Sequence, residues 1–314
     1  MRRRLLLAVL LLLPACAADQ PGDPPGPTTG NGSNAERGVA PAGAGADQRS
    51  AAPAEERLRA ASGATTSAGT ARTSFVATLT GMPGRPVPVS LTGSGAVDFA
   101  TGRMSSNVDL SDAFERPMAE RPTSRRLEPS WETISADGVV YLRAPVLSDL
   151  MGIETPWVRI DPSSELLSAA DGFAPLARLA GNDSGAPLAL LGGLQEGSVL
   201  DLGAEDVQGI STTHLRATVD LVAAVDAIAS PSDTETRSLE RFLAGLGARE
   251  STVDAFVDGD GRVRRIVYQH DLAPEAGGGT QRVELEYSDF GTPVVIEVPP
   301  EDQVSDLEQV FGGG

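Results

Sequence analysis

The chain has 314 residues, a formal net charge of −18 at pH 7, a single cysteine and only 4% aromatic residues. So acidic a chain disfavours nucleic acid and anionic lipid surfaces as electrostatic partners, because both require clustered cations. One cysteine excludes an internal disulfide and a multi-cysteine zinc site, so the fold depends on a hydrophobic core.

The first sixteen residues have the pattern of a bacterial export signal. Arg2, Arg3 and Arg4 precede an apolar run that ends at Leu13-Pro14-Ala15-Cys16. The run is shorter than the roughly 20 residues of a membrane span. Its ending resembles a lipobox, in which the cysteine is acylated and the chain is cut before it. We therefore predict a signal peptide over residues 1–15 and a lipid anchor, such as palmitate, on Cys16. The alternative is an ordinary secretory signal with an incidental cysteine.

Residues 16–55 are rich in proline and glycine and show no apolar periodicity. Such a stretch cannot bury enough surface to offset its ordering entropy, so we interpret it as a flexible tether. A folded domain is expected over residues 56–314, with a short helix beginning near Ala54.

From Ser74 onward, apolar and polar residues alternate in the manner of strands. The first predicted strands cover residues 75–80, 87–91, 95–99, 104–110, 131–135, 139–143 and 157–160. Short helical turns are predicted at 163–167 and 174–179, followed by an apolar segment at 187–194.

The second group begins with strands at 199–207 and 212–220 and helices at 221–228 and 233–246. Strands at 251–257, 263–271, 281–290 and 294–298 follow, and then a terminal helix at 301–311. This order favours an α+β fold with one large sheet, because neither strand group can cover its own apolar face.

Five segments resemble a known family: Gly138-Val139-Val140-Tyr141-Leu142; Trp157-Val158-Arg159-Ile160-Asp161; Thr212-Thr213-His214-Leu215-Arg216 with Val219-Asp220-Leu221; Val253-Asp254-Ala255-Phe256-Val257-Asp258 leading into Gly261-Arg262-Val263-Arg264-Arg265; and Tyr287-Ser288-Asp289-Phe290-Gly291-Thr292-Pro293-Val294. In this order they resemble the LppX/LprG-type lipoproteins and the wider LolA/LolB-like group. The resemblance implies a single curved antiparallel sheet, a half-barrel, with helices packed on its concave face around an apolar cavity that holds lipids or lipoglycans. It implies no catalytic residue.

Chemistry-bearing residues are few. His214 and His270 are the only histidines, and no nucleophile elbow accompanies them, so we predict no enzyme and interpret His214 as a cross-strand polar contact. Asp258-Gly259-Asp260-Gly261 begins like a calcium loop, but Gln269 stands where the loop needs a glutamate, so we predict a hairpin turn. No metal or cofactor is expected.

The candidates for lining a cavity are apolar residues of the predicted helices. They are Leu166, Leu167, Phe173, Leu176, Leu179, Leu190, Leu191, Leu194, Phe242, Leu243 and Leu246. An ordinary packed core is the alternative, since apolar stripes at helical spacing usually just pack.

These features predict a membrane-anchored, extracytoplasmic lipoprotein that binds a hydrophobic ligand, with envelope lipid transport as its implied role. The alternative is a tethered interaction or sensor module with a filled core and an envelope protein as partner.

Overall fold

The computed structural model describes residues 53–81, 87–112, 129–161, 164, 186–229, 232–274 and 278–312. Cys16, the predicted signal and nearly all of the predicted tether lie outside the described residues. So do the helical turn at 174–179 and most of the turn at 163–167.

Twelve strands make up a single large, open and curved sheet in the described part of the chain. They are β1 Thr70–Thr80, β2 Val89–Asp98, β3 Arg103–Asp109, β4 Ser130–Ala136, β5 Val139–Arg143, β6 Trp157–Ile160, β7 Leu200–Val207, β8 Ile210–Asp220, β9 Glu250–Asp258, β10 Val263–Asp271, β11 Thr280–Ser288 and β12 Val304–Asp306.

Six α-helices and two 3₁₀ turns are described beside the sheet. They are α1 Ala54–Thr66, α2 Pro145–Met151, α3 Ala186–Ala189, α4 Leu221–Ala229, α5 Asp233–Leu246 and α6 Leu307–Gly312, with 3₁₀ turns at Leu190–Gly193 and Glu301–Gln303. Helix α1 begins at Ala54, two residues before the expected start of the folded domain.

The strand order is β12-β6-β5-β4-β3-β2-β1-β11-β10-β9-β8-β7. Two antiparallel meanders, β1–β6 and β7–β11, are joined where β1 pairs with β11. The predicted α+β fold with one sheet is confirmed, with one correction: β12 pairs with β6 in parallel, so the sheet is mixed.

The C-terminal prediction is also corrected. Residues 294–298 alternate in burial but form no described ladder. Pro293, Pro299 and Pro300 flank them, and proline lacks the N–H that a ladder needs. The strand forms instead at β12, and the helix predicted at 301–311 is divided into a 3₁₀ turn, β12 and α6.

Two-residue turns fix the register of the hairpins. Asp137 and Gly138 connect β4 to β5 with φ of 55° and 78°, and Gln208 and Gly209 connect β7 to β8 with φ of 54° and 79°. Positive φ at both positions matches the right-handed twist of the flanking strands. Both turns lie between strands that the sequence predicts.

Helices α1 and α4 and the 3₁₀ turn at Leu190–Gly193 pack against one face of the sheet, which we call the inner face. Leu58 of α1, Leu191 of the 3₁₀ turn and Ala224 of α4 share one buried cluster with Leu215 and Ile266 of the sheet. Among the helices that the structure describes, none has the length and hydropathy of a membrane span.

Candidate ligand-binding face

The pairing register aligns inner-face residues into rows that cross neighbouring strands, because directly opposed residues in an antiparallel sheet lie on the same face. One row is apolar except for an indole N–H. From β11 to β4 it contains Leu285, Phe75, Gly93, Val108 and Trp131. Its four side-chain-bearing residues are all buried.

The ring of Phe75 lies over the backbone of β2. A Cβ placed on Gly93 would stand 2.3 Å from Cε1 of Phe75 and 2.6 Å from the carbonyl oxygen of Asn107. A residue with a Cβ at position 93 would displace the aromatic ring, so only glycine allows Phe75 to pack against β2 in the middle of the apolar row.

The next row along the same strands is polar, and we call it the polar row. From β11 to β4 it consists of Tyr287, Thr73, Gly95, Ser106 and Thr133. A third row follows, with Ala71, Val97, Met104 and Ser135. Four hydroxyl-bearing residues and one glycine therefore form a row across five strands, between two mainly apolar rows.

Two hydroxyls of the polar row lack a hydrogen-bond partner in the described part of the chain. Thr73 is 6% exposed and Thr133 is 2% exposed, and Oγ1 of each is buried without a partner. Nε1 of Trp131, in the adjacent row, is also buried without a hydrogen-bond partner in the described part of the chain. A buried polar group left unpaired costs about 1–3 kcal/mol, so native cores keep few of them.

The apolar residues predicted to face a cavity divide into two groups among those that the structure describes. Leu191 and Leu194 belong to the main core beneath α1, while Leu190 contacts both this core and the cluster between α4 and α5. Phe242 and Leu246 pack on that second cluster, beside buried Leu239 and Leu243. The other candidates, Leu166, Leu167, Phe173, Leu176 and Leu179, lie outside the described residues.

Two titratable residues of β10 lie on the helix side of the sheet. The hydroxyl of Tyr268 donates a hydrogen bond to the carbonyl of Pro187, just before the 3₁₀ turn. Burial raises the pKa of Tyr268 well above its ordinary value. Burial also lowers the pKa of His270, against opposing contributions from a hydrogen bond with Gln281 and from the charge of Asp271.

The outer face carries charge where the inner rows do not. The ring of His214 stacks on Phe256 at 4.3 Å, and the guanidinium of Arg265 lies 5.3 Å from the same ring. Arg265 in turn contacts Oε1 of Glu286 at 2.6 Å. Asp254 accepts hydrogen bonds from His214 at 2.6 Å and Arg216 at 2.7 Å, and these outweigh its desolvation and lower the pKa of Asp254.

Both ring nitrogens of His214 face carboxylates, with Nδ1 lying 3.3 Å from Glu205 and Nε2 beside Asp254. The interpretation of His214 as a cross-strand polar contact is confirmed. Asp258 caps its hairpin by accepting the backbone N–H groups of Asp260 and Arg262 at 2.9 Å each, as a turn rather than a calcium loop. Within the described ranges, no cluster of three metal-binding side chains occurs.

The polar row is the feature that sequence reasoning missed. Thr73 and Tyr287 are neighbours only because β1 pairs with β11, the one ladder that joins the two meanders. The sequence indicates this row only weakly. Its hydroxyl residues occupy strand positions at which the residues two places away, on the same face, are mostly apolar.

No protein-family model matches the chain. Over 119 residues it is 32% identical to an uncharacterised 31.2 kDa protein of Streptomyces griseus from the rplA-rplJ intergenic region. This alignment spans 38% of the chain and only 37% of that relative.

Similar solved structures include a lipoprotein and a LolA-superfamily protein. The lipoprotein LppX of Mycobacterium tuberculosis has a TM-score of 0.44 at 14% identity, covering 78% of this chain and 98% of LppX. LprF of Mycobacterium bovis has a TM-score of 0.41 at 15% identity, with 78% and 96% covered. A LolA-superfamily protein of Nitrosomonas europaea has a TM-score of 0.28 at 11% identity, with 80% and 97% covered. The comparison thus returns the LppX-type and LolA-type proteins that the sequence resembles.

Proposed function

We propose that the protein is an envelope lipoprotein that binds a lipid or another hydrophobic ligand between the inner face of its sheet and the helices. The observation that carries this proposal is the contrast between the two faces. The three inner rows on β11 and β1–β4 contain no charged residue, whereas the outer face carries paired charges such as Arg265 and Glu286.

Burial of acyl chains supplies the binding energy in this proposal. At about 0.8 kcal/mol per CH₂, a palmitoyl-length chain contributes roughly 12 kcal/mol, comparable to the roughly 4–15 kcal/mol that association costs. No bond is made or broken. The low aromatic content of the chain, 4%, suits an aliphatic binding face.

Native mass spectrometry tests whether a ligand is present. The chain from Ala17 onward, purified from a bacterial host, should retain a species of discrete mass that organic extraction releases and a fluorescent fatty acid replaces. A protein that has only its apo mass and takes up no fatty acid would contradict the proposal.

Photo-crosslinking tests the place of binding. A fatty acid with a diazirine in its chain should label peptides through inner-face residues such as Phe75, Val108 and Trp131. Outer-face residues of the same strands, Val76 and Thr92, are the internal control. Labelling confined to the outer face would contradict the assignment of the inner face.

The lipid anchor belongs to the same proposal and rests on the lipobox-like ending at Cys16. Cells fed an alkyne-tagged palmitate should label the protein, and Cys16→Ala should abolish the label. Persistent labelling of the variant would refute acylation at this residue.

One observation favours the second candidate function, a tethered interaction module. Strand β7 forms one end of the strand order, and its Leu200 and Leu202 are 57% and 48% exposed. An open edge with exposed leucines can pair with a strand of a partner protein. A clean apo mass together with protein crosslinks at β7 would favour this function over ligand binding.

A further inference from the structure

The strands β11 and β1–β4 place the polar row in the middle of the inner face. Its hydroxyl residues Thr73, Ser106 and Thr133 are buried, and they alternate along their strands with residues of the outer face, such as exposed Arg72 and Asn107. A solvent-facing position therefore does not explain them. Valine would fill the same volume without bringing a hydroxyl into the core.

Three buried hydroxyls outside the polar row, in the described part of the chain, are paired. Thr65 donates to the carbonyl of Ala61 and accepts the N–H of Val263. Thr212 donates to the carbonyl of Glu205, and Ser251 donates to that of Gln269. Thr73 and Thr133 depart from this rule, since neither hydroxyl has a partner in the described part of the chain.

The unpaired groups lie on one surface. Thr73 and Thr133 stand in the same row three strands apart, or about 14 Å at the usual strand spacing. Trp131 is two residues from Thr133 along β4 and presents a third unpaired group, an N–H that can only donate. This spread suits several oxygens along an extended molecule better than one small ion.

The chemistry of the rows restricts the partner. Every residue of the polar row and of its two neighbouring rows is uncharged, so a buried phosphate or carboxylate would find no counter-charge among them. Hydroxyl and indole N–H groups pair well with uncharged acceptors. The apolar rows on either side fit hydrocarbon.

We propose that Thr73, Thr133 and Trp131 form a polar subsite that hydrogen-bonds uncharged oxygens of the ligand, such as ester or hydroxyl oxygens, while its hydrocarbon lies along the apolar rows. This inference rests on the proposed function, because it requires a ligand on the inner face. It adds a selectivity that hydrocarbon burial alone does not provide.

The test compares methyl palmitate with heptadecane, which differ chiefly in the ester group. Affinities are measured by displacement of a fluorescent fatty-acid methyl ester from the chain beginning at Ala17, for the wild type and for Thr73→Val, Thr133→Val and the double variant. Comparing each ligand across variants cancels its own solubility. One ester group cannot reach two hydroxyls about 14 Å apart. A net hydrogen bond of ordinary strength therefore predicts that at least one of the two single substitutions, and the double variant, weakens methyl palmitate about three- to tenfold and leaves heptadecane unchanged.

Thr92→Val is the matched control, because Thr92 lies exposed on the outer face of β2. It should change neither affinity. Palmitate, bound at pH 8 as the anion, should bind more weakly than methyl palmitate, since the rows offer no cation.

Thermal unfolding of the ligand-free variants provides a second readout. Thr73→Val and Thr133→Val should leave the midpoint unchanged or raise it, because each removes an unpaired buried hydroxyl. A large drop would show that the hydroxyls serve the fold and would overturn the proposal.

The two proposals fail in distinguishable ways. If methyl palmitate and heptadecane respond equally to the valine substitutions, the polar subsite is wrong while ligand binding stands. If neither molecule displaces the probe, or the probe itself does not bind, both proposals are wrong.

Discussion

Thr65 connects the first described helix to the sheet, and Thr65→Val should destabilise the fold substantially. Its hydroxyl accepts the backbone N–H of Val263 at 2.8 Å and donates to the carbonyl of Ala61 at 2.6 Å. Thr65 and Val263 are both fully buried. Valine keeps the shape of the side chain and removes only these bonds.

The two bonds do not count equally. Ala61 lies inside α1, where its carbonyl also accepts a helical N–H, so the loss there is small. The N–H of Val263 loses its acceptor in a buried site, which costs about 1–3 kcal/mol. We therefore expect the free energy of unfolding to fall by about 2 kcal/mol, corresponding to a drop of roughly 4–8 °C in the midpoint of thermal unfolding.

Urea unfolding followed by tryptophan fluorescence measures this change, with Trp131 as a buried reporter on β4. At a slope of about 2 kcal/mol per molar, the midpoint should fall by roughly 1 M while the slope stays constant. Thr66→Val is the control, since its hydroxyl donates only to carbonyls of its own helix. A loss below about 0.5 kcal/mol for Thr65→Val, or an equal loss for Thr66→Val, would refute the reasoning.

Further predictions concern packing and pH. Gly93→Ala should lower the free energy of unfolding in urea by about 1–3 kcal/mol, because the added Cβ would overlap Phe75 and Asn107. Gly63→Ala is the control and should be neutral or stabilising, since the space around its Cβ is open. Equal effects of the two substitutions would contradict the packing argument. The lowered pKa of His270 means that the unfolded chain binds more protons as the pH falls below about 6.5. The contribution of neutral His270 to the free energy of unfolding should thus be fully present above pH 6.5 and lost on acidification. His270→Gln should therefore reduce the difference in the free energy of unfolding between pH 8 and pH 5. An unchanged difference would show that His270 does not contribute.

Most strands and helices could be predicted from the sequence because the periodicity of apolar residues and the positions of turn residues agree. The bounds of β5, β6, β10 and α5 match the predicted ones, since alternation or helical spacing begins and ends there at turn residues. Strand β2 differs: it was predicted as two pieces at 87–91 and 95–99 because Thr92-Gly93-Ser94 breaks the apolar alternation. The structure continues the strand through this break, since the ring of Phe75 occupies the space that Gly93 leaves.

The candidate site was harder to predict. Leu191 and Leu194 were identified as apolar, but their spacing does not distinguish a packed core from a ligand-facing surface. The structure resolves part of this ambiguity by placing both in the core cluster with Leu58 of α1. Their predicted role in lining a cavity stays a prediction.

Register determines what chemistry the inner face offers. If β1 slipped by one residue against its neighbours, Arg72 and Ser74 would replace Thr73 on that face, because the side-chain period of a strand is two. The β1–β11 ladder prevents this by pairing Phe75 with Leu285 and Ala77 with Val283, which only one register keeps buried. The same apolar pairs that stabilise the sheet therefore hold the hydroxyl of Thr73 in the core. A polar row fixed in this way needs no charge and no loop to position it.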